Sequence, residues 1–125
     1  MSLLECVLVA VGSAFGGLLR YGVTRGCSDL SRGFPWTTLA INVVGSFLIA
    51  ALSVVIVRNL DSATLRAAAR AFALVGFCGG FTTFSTFSNE TLGLLSQGRY
   101  TSAGAYVILS VALGLWATFL GLKFN

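Results

Sequence analysis

The chain contains no histidine, and its three cysteines, Cys6, Cys27 and Cys78, show no CxxC spacing. Zinc and other transition-metal sites are therefore not expected. Charge is scarce as well: 10% of the residues are Asp, Glu, Lys or Arg, four acids against eight bases. A soluble domain carries about 25% charged residues, so this chain cannot cover a surface that faces water. Residues 1–5 hold no Lys or Arg, so the basic start of a signal peptide is missing and the first apolar run is expected to be retained as a span. Proline occurs once, at Pro35.

What is present is apolar side chain, 56% of the residues, with a mean hydropathy of +0.90. A membrane span needs about 20 such residues. Four spans and short loops use up the 125 residues and leave no room for a soluble domain. The expected fold is an all-α membrane protein, a single four-helix transmembrane domain over 1–125. Its spans run at about 3–21, 36–57, 64–95 and 100–122. Pro35 marks the start of the second span, and Asp61 or Ser62 is the expected N-cap of the third. The net charge of +4 is scattered over helix ends, which fits anchoring in a lipid bilayer and not nucleic-acid binding.

The bases are evenly divided. Arg58, Arg66, Arg70 and Lys123 lie on the side of the N-terminus, and Arg20, Arg25, Arg32 and Arg99 on the other. Orientation follows an imbalance of Lys and Arg. Without one, insertion in both directions is expected, and identical chains can then pair as an antiparallel homodimer. Four helices packed around a filled centre leave little space for a pathway, whereas two chains supply eight.

Polar groups inside the spans are costly and persist only where they face protein or a watery path. The run GFCGGFTTFSTFSNE at 76–90 concentrates them: a glycine pair at Gly79 and Gly80, then five hydroxyls and two rings from Thr82 to Ser88, and Glu90. The third span is expected to break near 79–82. Phe84 and Phe87 lie on one helix face. Aromatic rings have positive edges, which can coordinate a small dehydrated anion while Thr83, Ser85, Thr86 and Ser88 donate hydrogen bonds; the other reading of the rings is plain packing. No Lys or Arg is close to the centre, and weak sites suit conduction better than a fixed cation. Carbonyls freed at the break can be satisfied by a cation such as sodium, or by the hydroxyls of Thr82 and Thr83.

The other spans are milder. Gly12, Gly16 and Arg20 recur at steps of four, and the GxxxG permits close packing. Arg20 can snorkel or hold a positive potential at a vestibule. Thr38, Asn42, Gly45, Ser46 and Ile49 share a face of the second span. Asn42 either makes an interhelical hydrogen bond or aims an N–H at a passing anion. Ser102, Tyr106, Ser110, Gly114 and Thr118 form a stripe on the fourth.

LLRY with Arg20, PWTTLAINVVG with Asn42, and the run at 76–90 together resemble the Fluc/CrcB family of small four-span fluoride channels, over essentially the whole chain. The resemblance implies an antiparallel homodimer of dual topology in the cell inner membrane. It also implies passive fluoride export through two pores, fluoride resistance, and no enzymatic chemistry. It assigns the fluoride pathway to Asn42, Phe84, Phe87, Ser85, Thr86, Thr38, Tyr106 and Ser110. It places Arg20 at the vestibule, and the backbone carbonyls of Gly79 and Thr82 on a structural Na+ at the dimer interface. Glu90 matches the acidic residue after the phenylalanines. Gly114 departs from relatives that carry a hydroxyl there. Two other classes stay open on the residues alone. A proton-coupled multidrug exporter needs a membrane carboxylate such as Glu90, and a non-transporting assembly subunit would leave the rings and hydroxyls unused.

Overall fold

Four helices long and apolar enough to cross a membrane make up the computed structural model, which describes residues 1–124. Helices α1 (Leu3–Gly26) and α2 (Trp36–Asn59) have 24 residues each. That is about 36 Å of helix, enough for a hydrocarbon core of about 30 Å. The third span, Ala63–Ser96, is composite. It comprises α3 (Ala63–Ala69), a π-helical stretch (Arg70–Cys78), the short α4 (Gly79–Phe81) and α5 (Phe84–Ser96). Helix α6 (Tyr100–Leu122) is the fourth. There is no strand among the described residues.

The helix starts have local causes. Ser2 and Glu5 form a capping box on α1, with Glu5 N–H donating to Ser2 Oγ at 3.1 Å and Ser2 N–H to Glu5 Oε2 at 3.0 Å. Pro35 is the residue before α2, and Ser31 Oγ accepts the orphan N–H of Thr37 at 2.9 Å. Ser62 caps α3, the second of the two expected candidates. Helix α1 runs past its expected end at Tyr21 to Gly26. Nothing between them removes a backbone donor, so the hydrogen-bond ladder continues. Gly98 supplies the positive φ of 74° in the tight turn from α5 to α6.

Packing divides the third span between two neighbours. Its π-helical stretch lies along α1, while α2 lies along α6. Gly12 and Gly16 make the first approach possible: a Cβ at either would fall on the carbonyl oxygens of Phe72 and Phe77. Beyond the break, α5 leaves α1 and packs on α6. A core of Leu39, Leu94, Ala103 and fully buried Tyr106, flanked by Phe34, Val43, Phe87 and Leu109, holds that end of the bundle. Large apolar side chains such as Phe15, Leu18, Ile108 and Leu115 point outward, as a lipid-facing surface requires.

Candidate functional site

The break in the third span falls at Thr82 and Thr83, at the end of the expected interval. Both residues are extended, with ψ of 160° at Thr82 and φ of −153° at Thr83. Gly79 and Gly80 stay helical. The two threonines cap the two helix ends. Thr82 Oγ1 donates to Cys78 O at 2.9 Å, and Thr83 Oγ1 accepts from Thr86 N–H at 3.2 Å. Asn42, on α2, closes the gap with two hydrogen bonds to one residue. Its Nδ2 donates to Thr83 O at 3.0 Å and its Oδ1 accepts from Thr83 N–H at 2.8 Å. An amide nitrogen carries two N–H groups, so one is committed to Thr83 and one remains. Arg20 does not snorkel outward: its Nε–H donates to Gly80 O at 3.1 Å.

These ties alter the backbone of the broken segment. In a regular helix Thr83 N–H would bond to Gly79 O, and Thr86 N–H to Thr82 O. Asn42 and the Thr83 hydroxyl have taken those donors. Gly79 and Thr82 thus lose their helical donors while sitting at membrane depth, and Gly79 is exposed on the surface of the single chain.

Next to the break lies a cavity of about 400 Å³. Asn42, Phe84, Phe87 and Ser110 line it together with Gly79, Thr82 and Thr83, and no charged side chain does. Gly45 admits the broken segment, since a Cβ there would strike Thr82 Cγ2. The Phe84 and Phe87 rings are 5.7 Å apart at 46°, and Phe87 continues to Tyr106 at 5.0 Å. Tyr106 donates its hydroxyl to Glu90 Oε1 at 3.0 Å. Ser110 Oγ is buried without any hydrogen-bond partner. Buried hydroxyls are seldom left so. Phe84 is 79% exposed, so one wall of the cavity ends at the surface of the chain.

A second cavity, about 230 Å³, shares the wall residue Thr83 with the first. Arg20, Thr38 and Thr86 line it, and Arg20 is its only charged wall. The two cavities therefore differ in charge: Arg20 gives the second a positive wall, and the first is lined by neutral residues. Ser85 lines neither cavity; it is exposed, with its Oγ 3.4 Å from Thr83 Oγ1. Tyr106 supports Phe87 from the core and does not line the cavities. Sequence reasoning missed the role of Thr83 as the knot between α2 and the break. It also left Ser46, another wall of the larger cavity, out of the pathway, although its place on the Asn42 face was visible.

The family described as "CrcB-like protein, Camphor Resistance (CrcB)" matches residues 7–122. The chain is similar to curated proteins named "Fluoride-specific ion channel FluC". The relative from Paramagnetospirillum magneticum is 46% identical, over 95% of this chain and 93% of its own. That from Thermus thermophilus is 47% identical, over 94% and 91%. That from Rhizobium etli is 40% identical, over 96% and 94%.

Proposed function

This chain belongs to the CrcB-like family, and we infer from that premise that it is a fluoride-specific ion channel. It is a multi-pass protein of the cytoplasmic membrane that lets fluoride leave the cell passively and so confers resistance. The observation that carries the pathway is the uncharged cavity, where Ser110, whose buried hydroxyl has no partner, lines the same space as Phe84, Phe87 and Asn42.

The mechanism follows from that space. Arg20 raises the local anion concentration at the mouth, with Thr38 and Thr86 beside it. An ion passing Thr83 enters a region without fixed charge. There it exchanges water for the free Nδ2–H of Asn42, the Ser110 hydroxyl and the positive ring edges of Phe84 and Phe87. Each partner is weak enough for release, which conduction requires. Fluoride, a small and strong hydrogen-bond acceptor, gains most from such donors. Glu90 accepts a hydrogen bond from Tyr106, and Glu5 is held in the α1 cap beside the N-terminus, so neither is the free carboxylate in mid-membrane that a proton-coupled cation exporter uses.

The pathway is completed by a second, antiparallel copy of the chain. Exposed Phe84 and Gly79 and the balanced arginines support that pairing. A structural Na+ at the interface is supported by the Gly79 and Thr82 carbonyls whose helical donors are engaged elsewhere. Bound there, it would supply charge compensation for those dipoles, not transport. Liposomes carrying the purified protein and a potassium ionophore test the reading. Rapid release of fluoride with chloride retained is expected; retention of both by folded protein would exclude it.

A further inference from the structure

We propose that Ser46 is a pathway hydroxyl and that Gly114 provides its space, so that the ion's route steps from α6 to α2 at this depth. The inference rests on the channel reading above and names a residue within it.

Tyr106, Ser110, Gly114 and Thr118 share one face of α6 at intervals of four. The series of hydroxyls is interrupted at Gly114, one turn beyond Ser110. A Cβ built at Gly114 would lie 3.7 Å from Ser46 Oγ, an ordinary van der Waals contact. The Ser46 hydroxyl therefore stands over the gap, and it lines the same cavity as Ser110 and Asn42. Thr118 Oγ1 donates to Gly114 O at 2.9 Å and approaches Ser46 O at 3.4 Å, which ties the two helices together at this level.

The chemistry of Ser46 suits a transient donor. Its hydroxyl rests on Asn42 O at 2.7 Å, one turn back on its own helix. A hydroxyl proton rotates readily, and such back-bonds to the helix carry little stabilisation. A charge-assisted hydrogen bond is roughly twice as strong as a neutral one. An anion arriving from Ser110 can thus draw the proton away from the Asn42 carbonyl, and the proton returns when the ion leaves. No bond other than a hydrogen bond is made or broken.

Serine 46 could instead only decorate its own helix, and a paired substitution separates the two roles. In liposome efflux, Ser46→Ala is expected to slow fluoride release on the order of tenfold. Alanine is the best helix former, so folding is retained. Adding Gly114→Ser to that variant places a hydroxyl in the same space from the other helix and is expected to restore most of the rate. Unchanged flux in Ser46→Ala overturns the proposal. So does a slowed Ser46→Ala that the second substitution fails to rescue while both variants elute and melt like the parent. The parent protein, run alongside, separates this outcome from failure of the channel reading: a parent that retains fluoride removes that reading itself.

Discussion

At the scale of single residues, the proposed pathway divides its work between Asn42, which holds the break, and the two phenylalanines, which would meet the ion. Asn42 satisfies both backbone groups of Thr83 at the break inside a membrane span. Asn42→Ala leaves a donor and an acceptor without partners, at roughly 1–3 kcal/mol for each buried group. The expected outcome is a lower melting temperature in detergent together with lost flux, and an Asn42→Ala protein that melts like the parent would refute the clamp. Phe84 packs on the Phe87 ring, and Phe87 on Tyr106 and the core around it. Isoleucine keeps much of their volume and removes the positive ring edge. Phe84→Ile and Phe87→Ile are each expected to abolish fluoride efflux at unchanged size-exclusion behaviour. Full flux in both variants would sink the ring-edge mechanism. The separate behaviour of Asn42 and the rings was not legible in the sequence, because Asn42 and Thr83 are 41 residues apart. A polar side chain in a span announces that it needs a partner without naming it.

At the scale of helices, the third span owes its shape to what lies on either side of it. Its first half needs the glycine face of α1, where Gly12 and Gly16 let backbone meet backbone. Gly12→Ala puts a methyl group on the Phe72 carbonyl, and over-packing of this kind costs about 1–3 kcal/mol. Gly22→Ala, on the same helix, meets nothing within 4 Å and gains helix propensity. Thermal unfolding should therefore separate the two, with Gly12→Ala destabilised and Gly22→Ala equal to or above the parent. Equal melting of both would mean that the close approach of α1 is not needed. The four spans, the start of the second at Pro35 and the cap at Ser62 were readable, since apolar runs and caps are local signals. The GxxxG and the broken third span were readable too, because glycine pairs and dense hydroxyls are rare in lipid-facing helix. The π-helical winding of Arg70–Cys78 was not, because RAFALVGFC has the composition of an ordinary helix. Nor was the change of partner from α1 to α6, which depends on the bundle as a whole. The extended pair at Thr82 and Thr83 follows from capping: each threonine hydroxyl serves a different helix end, so the chain opens between them.

At the scale of the whole molecule, one chain exposes Phe84 and Gly79, residues that its own pathway and its own broken backbone require to be covered. An antiparallel partner would cover them, and a sodium ion held by the Gly79 and Thr82 carbonyls would stabilise the pair by mass action. Replacing sodium with a bulky organic cation is then expected to lower the melting temperature by several degrees, and identical melting curves would remove the ion. Orientation provides the stricter test. Arg20 turns inward to Gly80 O, which leaves Arg25, Arg32 and Arg99 on one side against Arg58, Arg66, Arg70 and Lys123 on the other. An imbalance of one base is too small to fix topology. Reporters fused to the C-terminus, one active only inside and one only outside the membrane, should therefore both give signal. Among the described residues Arg32 pairs with Asp29 alone, in an exposed bridge of 2.7 Å that contributes little, so its charge can be removed without disturbing the fold. In Arg25→Gln with Arg32→Gln the tally becomes one against four, and a single orientation should result. Chains that all face one way cannot form an antiparallel pair. Fluoride resistance should then be lost, and it should return on co-expression with a copy biased the opposite way by Arg58→Gln, Arg70→Gln and Lys123→Gln, which leave one base against three. Full resistance from the one-way variant alone would place the complete pathway within parallel chains or a single chain and end the dual-topology proposal.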